Sequence, residues 1–272
     1  MSASGPGDRF VGGEVVLTLA GAASSALAIG VVWFGSAFLD FDLSTLTLWF
    51  IVPAGAVATG MLAASGYYLG ASWTGRRPTR LLLLNMVLVG FTTFVVLRYL
   101  AYSGLVFEDG TPISTEVGFW QYYRVSIEHM TMTVGRSGNP DIGTTGELGM
   151  LGYGVETLQF AGFLLGPVAV WFMLGAKPYC EPCGRYFRTR AVASSDASSS
   201  GVEQYLAERG VELPAAGGDI DAVLAGRPLN GLRLKLEECP SCRSRRLALF
   251  AVSGEEEVPA GRFDVPALEA AW

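Results

Sequence analysis

Hydrophobic positions gather into four long runs along the chain, and short polar segments separate them. Each run reaches the roughly 20 apolar residues that an α-helix needs to cross a bilayer. The runs span residues 13–36, 46–71, 81–103 and 149–175. Transmembrane β-strands would alternate apolar and polar positions over about ten residues, and these runs do not. The pattern predicts an α-helical integral membrane protein with a four-helix transmembrane bundle over residues 1–176.

Small residues recur at four-residue spacing within the runs. Ala56, Gly60 and Ala64 form such a row in the second run, and Gly162 and Gly166 form one in the fourth. Rows of this kind let helix backbones approach closely in a bilayer. They predict a tight bundle, and an interface in a homo-oligomer or a pore is the alternative.

Basic residues beside the runs predict the orientation of the chain. The segment GRRPTR at 75–80 contains three arginines and more bases follow residue 176, whereas LDFDLST between the first two runs has none. Because lysine and arginine collect on the cytoplasmic side, we expect a multi-pass protein of the cell membrane. Both termini would be cytoplasmic and residues 104–148 external. A cleaved signal peptide over the first run is the alternative, and its removal would leave the remaining sidedness unchanged.

Three polar residues interrupt the third and fourth runs. Arg98 lies near the outer end of the third run, and Glu156 and Gln159 lie near the outer end of the fourth. Ionisable residues are costly inside a bilayer, and antiparallel neighbouring helices would bring these to a similar depth. We therefore expect Arg98 to pair with Glu156. The pair either fixes helix register or forms a polar site for a proton, an ion or a lipid headgroup.

An amphipathic pattern in the external loop predicts a helix near residues 117–134 that lies in the outer interface. Trp120 and Tyr123 would lie at headgroup depth, although the helix could equally cap the bundle or dock a partner. His129 is the only histidine of the chain. With no second ligand or nucleophile beside it, His129 is expected to be an interfacial polar residue.

Composition divides the chain into two unlike parts. Half of the residues are hydrophobic and only 16% are charged, against about 25% in soluble domains. Most of the charged residues follow residue 175, so the end of the chain has an ordinary soluble balance. The net charge of −6 argues against nucleic acid as a partner.

All four cysteines lie in the soluble part, as the pairs CEPC and CPSC: Cys180, Cys183, Cys239 and Cys242. Two C-x2-C pairs are typical of zinc sites, and disulfides rarely persist in the reducing cytoplasm. Zinc takes four tetrahedral ligands in a structural site, and each pair would supply two thiolates. An iron centre on the same sulfurs and a thiol–disulfide redox pair are the alternatives.

The segments around the second cysteine pair alternate in hydrophobicity. GLRLKLEE at 231–238 and RLALFAVSG at 246–254 predict a hairpin with one apolar face. The hairpin and the two cysteine turns resemble zinc-ribbon modules, which implies a structural zinc ion, one per chain.

The soluble part is thus expected to be a small cytoplasmic zinc-ribbon-like β domain over residues 177–254. Its insertion at 191–230 would begin with a serine-rich linker and contain short helices near 202–210 and 219–226, each ended by glycine. Residues 255–272, acidic and punctuated by proline, are expected to form a flexible tail.

No phosphate-binding loop, nucleophile motif or cofactor fingerprint accompanies the cysteines, so the sequence does not favour an enzyme. We expect a membrane scaffold, in contact with the lipid bilayer, whose cytoplasmic zinc module docks a protein partner. A small transporter or channel-like protein centred on Arg98 and Glu156 is one alternative. A membrane-anchored redox protein that uses the four cysteines is another.

Overall fold

The chain forms two compact units, Met1–Ala176 and Lys177–Trp272. A computed structural model describes most of both. The described residues are 6–39, 42–47, 52–136, 139–195, 231–253 and 256–265.

Helices dominate the first unit. They are α1 (Pro6–Phe38), α2 (Ala54–Thr74), α3 (Arg80–Ser103), α4 (Phe119–Glu128) and α5 (Met150–Gly175). The four long helices form a closed ring of packed neighbours, in the order α1, α2, α5 and α3. Two short strands, β1 (Thr133–Arg136) and β2 (Asn139–Thr144), pair antiparallel between α4 and α5.

Local signals set the sharp connection between α2 and α3. Gly75 ends α2 in the left-handed conformation, with φ of 74°, and its N–H donates to the carbonyl of Ala71. Thr79 caps the start of α3, because its hydroxyl accepts from the N–H of Leu82 at 3.1 Å. Glycine adopts positive φ without steric cost, and a threonine cap satisfies an otherwise unpaired amide. The three-arginine segment is therefore a tight turn between two helices.

Three helices within the described residues are long and apolar enough to cross a membrane, by length and composition: Gly13–Phe38, α3 and α5. They mark the chain as a membrane protein. α2 is not among them, since alanine, glycine, serine and tyrosine make it less hydrophobic. It also begins at Ala54, after Pro53 at its N-cap, rather than at residue 46 as the apolar run predicted.

Close backbone contact holds α2 to its neighbours. A Cβ atom on Gly60 would lie 2.5 Å from the carbonyl oxygen of Phe163, and one on Gly166 would lie 2.5 Å from the amide nitrogen of Met61. Side chains from all four long helices pack around this crossing as a buried cluster: Val32, Ala56, Phe94, Leu97 and Phe163. The small-residue rows thus lie at the crossing of α2 and α5.

Strands form the described part of the second unit. β3 (Tyr179–Cys180) pairs with β4 (Arg185–Tyr186), and a separate antiparallel sheet runs in the order β5 (Arg188–Ser195), β6 (Gly231–Glu238), β7 (Arg245–Ser253) and β8 (Glu256–Val265). The expected hairpin is present as β6 and β7, with Leu236 opposite Leu247. Leu234 and Leu247 are fully buried, so the apolar face forms a core.

The sheet is larger than the sequence predicted. β5 occupies the start of the predicted insertion, and β8 occupies most of the predicted flexible tail. Pro259 lies opposite Phe250, where the register of β7 and β8 shifts. A proline is tolerated at such an irregularity on an edge strand, which is why a proline-containing segment can pair here. The predicted helices near 202–210 and 219–226 lie outside the described residues.

Candidate functional site: a metal centre and a polar cluster

The four cysteines come from two turns of the second unit. Cys180 ends β3 and Cys183 lies in the turn before β4, while Cys239 and Cys242 lie in the turn between β6 and β7. All four sulfur atoms lie within 4.8 Å of one another, and all four cysteines are free thiols. The fold therefore brings ligands from distant parts of the sequence to one point, at metal-binding distance.

The two cysteine turns share one backbone design. The N–H of Gly184 donates to the carbonyl of Cys180 at 3.0 Å, and the N–H of Arg243 donates to the carbonyl of Cys239 at 3.0 Å. Both residues are left-handed, with φ of 62° at Gly184 and 57° at Arg243. Each turn therefore directs two sulfurs to the same side.

The spacing of the sulfurs suits a tetrahedral metal ion. Metal–sulfur bonds of about 2.3 Å, as zinc forms, place the ligands of a tetrahedron about 3.8 Å apart. The sulfurs of Cys180 and Cys242 are 3.7 Å apart. Four thiolates at this spacing could hold one zinc or iron ion with no coordination position left for substrate.

Hydrogen bonds and burial shift the pKa values of the cysteines in different directions. The side chain of Ser244, whose Oγ lies 3.1 Å from the sulfur of Cys242, and the backbone N–H of Ser244 lower the pKa of Cys242 to about 6. The thiol of Cys183, which donates to Cys242, has its pKa raised to about 12, and burial raises the pKa of Cys180. Without metal, one thiolate thus lies beside protonated thiols. Ser244 went unnoticed in the sequence, although it follows Cys242 by only two positions.

The second group of predicted site residues lies in the first unit, between α3 and α5. The guanidinium of Arg98 donates from Nε to Oε1 of Glu156 and from Nη2 to Oε2, both at 2.8 Å, and Nη2 also donates to Gln159. Phe94 places its ring 5.2 Å from the guanidinium carbon. The structure brings Arg98, Glu156 and Gln159 together in one polar cluster.

Tyr123 on α4 completes this cluster. Its hydroxyl donates to Oε1 of Glu156 at 2.7 Å. Burial first, and then this hydrogen bond, raise the pKa of Tyr123 far above its ordinary value, so the phenol stays a neutral donor. Tyr123 was expected at headgroup depth. Tyr123 lies four residues before the buried Ile127. This spacing puts both on one helix face and is the sequence signal that Tyr123 points inward.

The other residues predicted on the external helix, Trp120 and His129, are exposed. α4 spans only Phe119–Glu128 instead of 117–134, and His129 caps its end. His129 Nδ1 lies 3.0 Å from Oε1 of Glu147, and this hydrogen bond is the main cause that raises its pKa. Trp120 is 75% exposed.

No family model, no curated protein and no solved structure matches this chain. The functional assignment therefore rests on the geometry of the two clusters.

Proposed function

We propose that the chain is a multi-pass membrane scaffold whose second unit holds one structural zinc ion and docks a cytoplasmic protein partner. The observation that supports this most is the convergence of four cysteine sulfurs within 4.8 Å of one another. Zinc sites with four protein ligands are closed and stabilise a fold, whereas catalytic zinc keeps an open position.

A structural ion also suits the size of the second unit. Small domains gain folding free energy directly from zinc, because the ligands come together only in the folded state. Here the ion would join the β3–β4 turn to the β6–β7 turn. Cys180 of the first pair and Cys242 of the second are 62 positions apart in the sequence. Iron in the same four sulfurs is the competing assignment and would supply electron transfer.

The membrane part is proposed to span the bilayer four times, with α2 as the fourth span. α2 has 21 residues, enough to cross the bilayer by length, and it packs against α1 and α5. The ion pair between Arg76 and Glu14, at 2.9 Å, puts the start of α1 at the same end as the arginine-rich turn. By the positive-inside rule that end would be cytoplasmic, together with both termini.

Metal analysis of the detergent-purified full chain tests the zinc assignment. We expect about one zinc per chain, without visible colour, in the wild type and in the Ser241→Ala control, whose exposed side chain is adjacent to Cys242. The Cys239→Ser/Cys242→Ser variant should lose it. Iron with visible absorption bands would make the chain an electron-transfer protein, and an absence of metal from wild-type protein would overturn the assignment.

Proximity labelling in cells tests the docking role, with the label fused to the full chain. A protein neighbour recovered with wild type and Ser241→Ala, but lost from Cys239→Ser/Cys242→Ser at equal membrane abundance, is the expected result. An identical set of neighbours for all three chains would show that the metal unit does not dock a partner.

A further inference from the structure

The first unit has a groove with a mostly apolar wall. It lies between α3, α4 and α5 and has a volume of about 540 Å³, within the roughly 300–1,000 Å³ range of small-molecule sites. Aromatic and aliphatic side chains form most of its wall, among them Phe91, Phe94, Val95, Phe119, Ile127 and Phe160. Along α3 it extends from Phe91 to Arg98, about 10 Å at 1.5 Å per residue.

A positively charged side chain lies beside this apolar groove. Arg124 lines it from α4 and is exposed. Within the described residues no carboxylate lies within ion-pair distance of Arg124. The nearest candidate on its own helix face, Glu128, instead accepts a hydrogen bond from the hydroxyl of Tyr153 at 2.8 Å. Arg98, the other arginine of the wall, is already neutralised by Glu156.

The exposed Trp120 lies beside Arg124 on the same wall. Tryptophan favours the depth of lipid headgroups, so the groove has a mouth suited to a headgroup and a body suited to hydrocarbon. We propose that the groove binds an anionic phospholipid, with one acyl chain along Phe91 and Phe160 and the phosphate on Arg124. This site is separate from the cysteine cluster and does not depend on the metal.

Quenching of Trp120 fluorescence by lipids with brominated acyl chains tests the proposal. The full chain is placed in phosphatidylcholine nanodiscs containing a minor fraction of brominated phosphatidylglycerol or brominated phosphatidylcholine. The difference between wild type and Trp120→Phe isolates the signal of Trp120. A single basic residue near the surface favours anionic lipid by about fivefold, so phosphatidylglycerol should associate about fivefold more strongly.

Two variants test the charge of Arg124 and the apolar groove separately. Arg124→Gln should abolish the preference for phosphatidylglycerol, whereas Arg80→Gln, the same charge change at the far end of α3, should keep it. Thr157→Phe, which adds a ring to the exposed lining residue Thr157, should reduce quenching by both lipids.

Two results would overturn the proposal. If both lipids quenched equally and Arg124→Gln changed nothing, the groove would have no preference for an anionic headgroup. If soluble glycerol phosphate abolished the preference while chain quenching stayed the same, Arg124 would bind a free phosphate and not a lipid seated in the groove.

Discussion

Arg98 on α3 and Glu156 on α5 form a two-point ion pair, with both N–O distances at 2.8 Å. Their side chains are only 18% and 7% exposed. Gln159 also accepts from Nη2 of Arg98, and Tyr123 also donates to Oε1 of Glu156, so each member of the cluster has a partner. We expect such an arrangement to fix the register of the two helices, since sliding either by one turn would leave a charge unpaired.

The ion pair should therefore matter for folding. Glu156→Gln leaves the Arg98 charge uncompensated, and removing one partner of a buried pair costs about 3–5 kcal/mol. We expect a marked loss of thermal stability in detergent, measured as the midpoint temperature of unfolding. The Arg98→Met/Glu156→Met double variant should lose less than the single one, because no charge remains.

Glu14→Gln is the matched control, since Glu14 pairs with Arg76 at an exposed site. Exposed pairs contribute less than about 1 kcal/mol, so its midpoint should hardly move. Unchanged stability of Glu156→Gln, together with loss of solute flux in vesicles, would instead favour a transporter.

The crossing of α2 and α5 predicts a second stability difference. Gly60→Ala or Gly166→Ala would place a Cβ 2.5 Å from backbone atoms of the partner helix, so the helices must separate and the midpoint should fall. Gly30→Ala on α1 is the control, because nothing lies within 4 Å of its Cβ position. Equal midpoints for all three variants would show that this crossing has room for side chains.

The two cysteine turns predict opposite effects at equivalent positions. Gly184→Ala puts a Cβ into the left-handed region, which costs about 1–2 kcal/mol, while its nearest neighbour, the Tyr179 hydroxyl, leaves room at 3.5 Å. Arg243→Gly relieves the same strain in the second turn. Release of bound metal to a chelator should be faster in Gly184→Ala and slower in Arg243→Gly, and a change of the same sign in both would contradict the shared design.

Metal binding should weaken steeply on acidification. At pH 7 Cys242, with its pKa lowered to about 6, is a thiolate, whereas Cys180 and Cys183 have raised pKa values and hold their protons. The metal must displace at least these two protons, so its affinity should fall about a hundredfold per pH unit or more. Calorimetry in buffers of different ionisation enthalpy counts the protons released.

The Ser244→Ala variant tests the number of protons that metal binding releases. Loss of its hydroxyl raises the pKa of Cys242, so more protons should be released per metal ion at pH 7. Ser241→Ala should release as many as wild type, and a release of no protons would mean that the thiols are already ionised.

His129 predicts a milder pH effect on the first unit. Its pKa is raised by the hydrogen bond to Glu147, by the Glu147 charge and then by Glu128. A raised folded pKa stabilises the fold below the unfolded value of about 6.5, and this stabilisation disappears as pH rises through the folded pKa. NMR titration of the single histidine should give a lower pKa in Glu147→Gln and a smaller decrease in Glu128→Gln; no change in Glu147→Gln would exclude the pair in solution.

Hydrophobic patterning and cysteine spacing predicted the parts of this molecule that depend on local sequence. Apolar runs located the helices Gly13–Phe38, α3 and α5 as candidate spans, and the C-x2-C pairs located the four-cysteine cluster. In both cases the residues that form one helix or one cysteine turn are close in sequence, so a short stretch of sequence is enough to predict the feature.

The features that sequence reasoning missed depend on contacts between elements or on the boundary of a helix, which hydrophobic patterning alone does not give. β8 contains a proline and a glycine that suggest a tail, and only its pairing with β7 makes it a strand. α2 begins at Ala54 after a proline, although apolar residues continue upstream. Tyr123 points toward Glu156 because α4 packs onto α5, and no pattern within α4 alone reveals that acceptor.

Strands β5 and β6 have a consequence for the evolution and engineering of the second unit. Ser195 pairs with Leu232, so the end of β5 and the start of β6 are neighbours in the sheet. Doubling the length of a flexible connection between fixed ends costs only about 0.6 kcal/mol. We therefore expect the sheet and both cysteine turns to tolerate large changes of length in the connection between β5 and β6. A reporter domain could be inserted there.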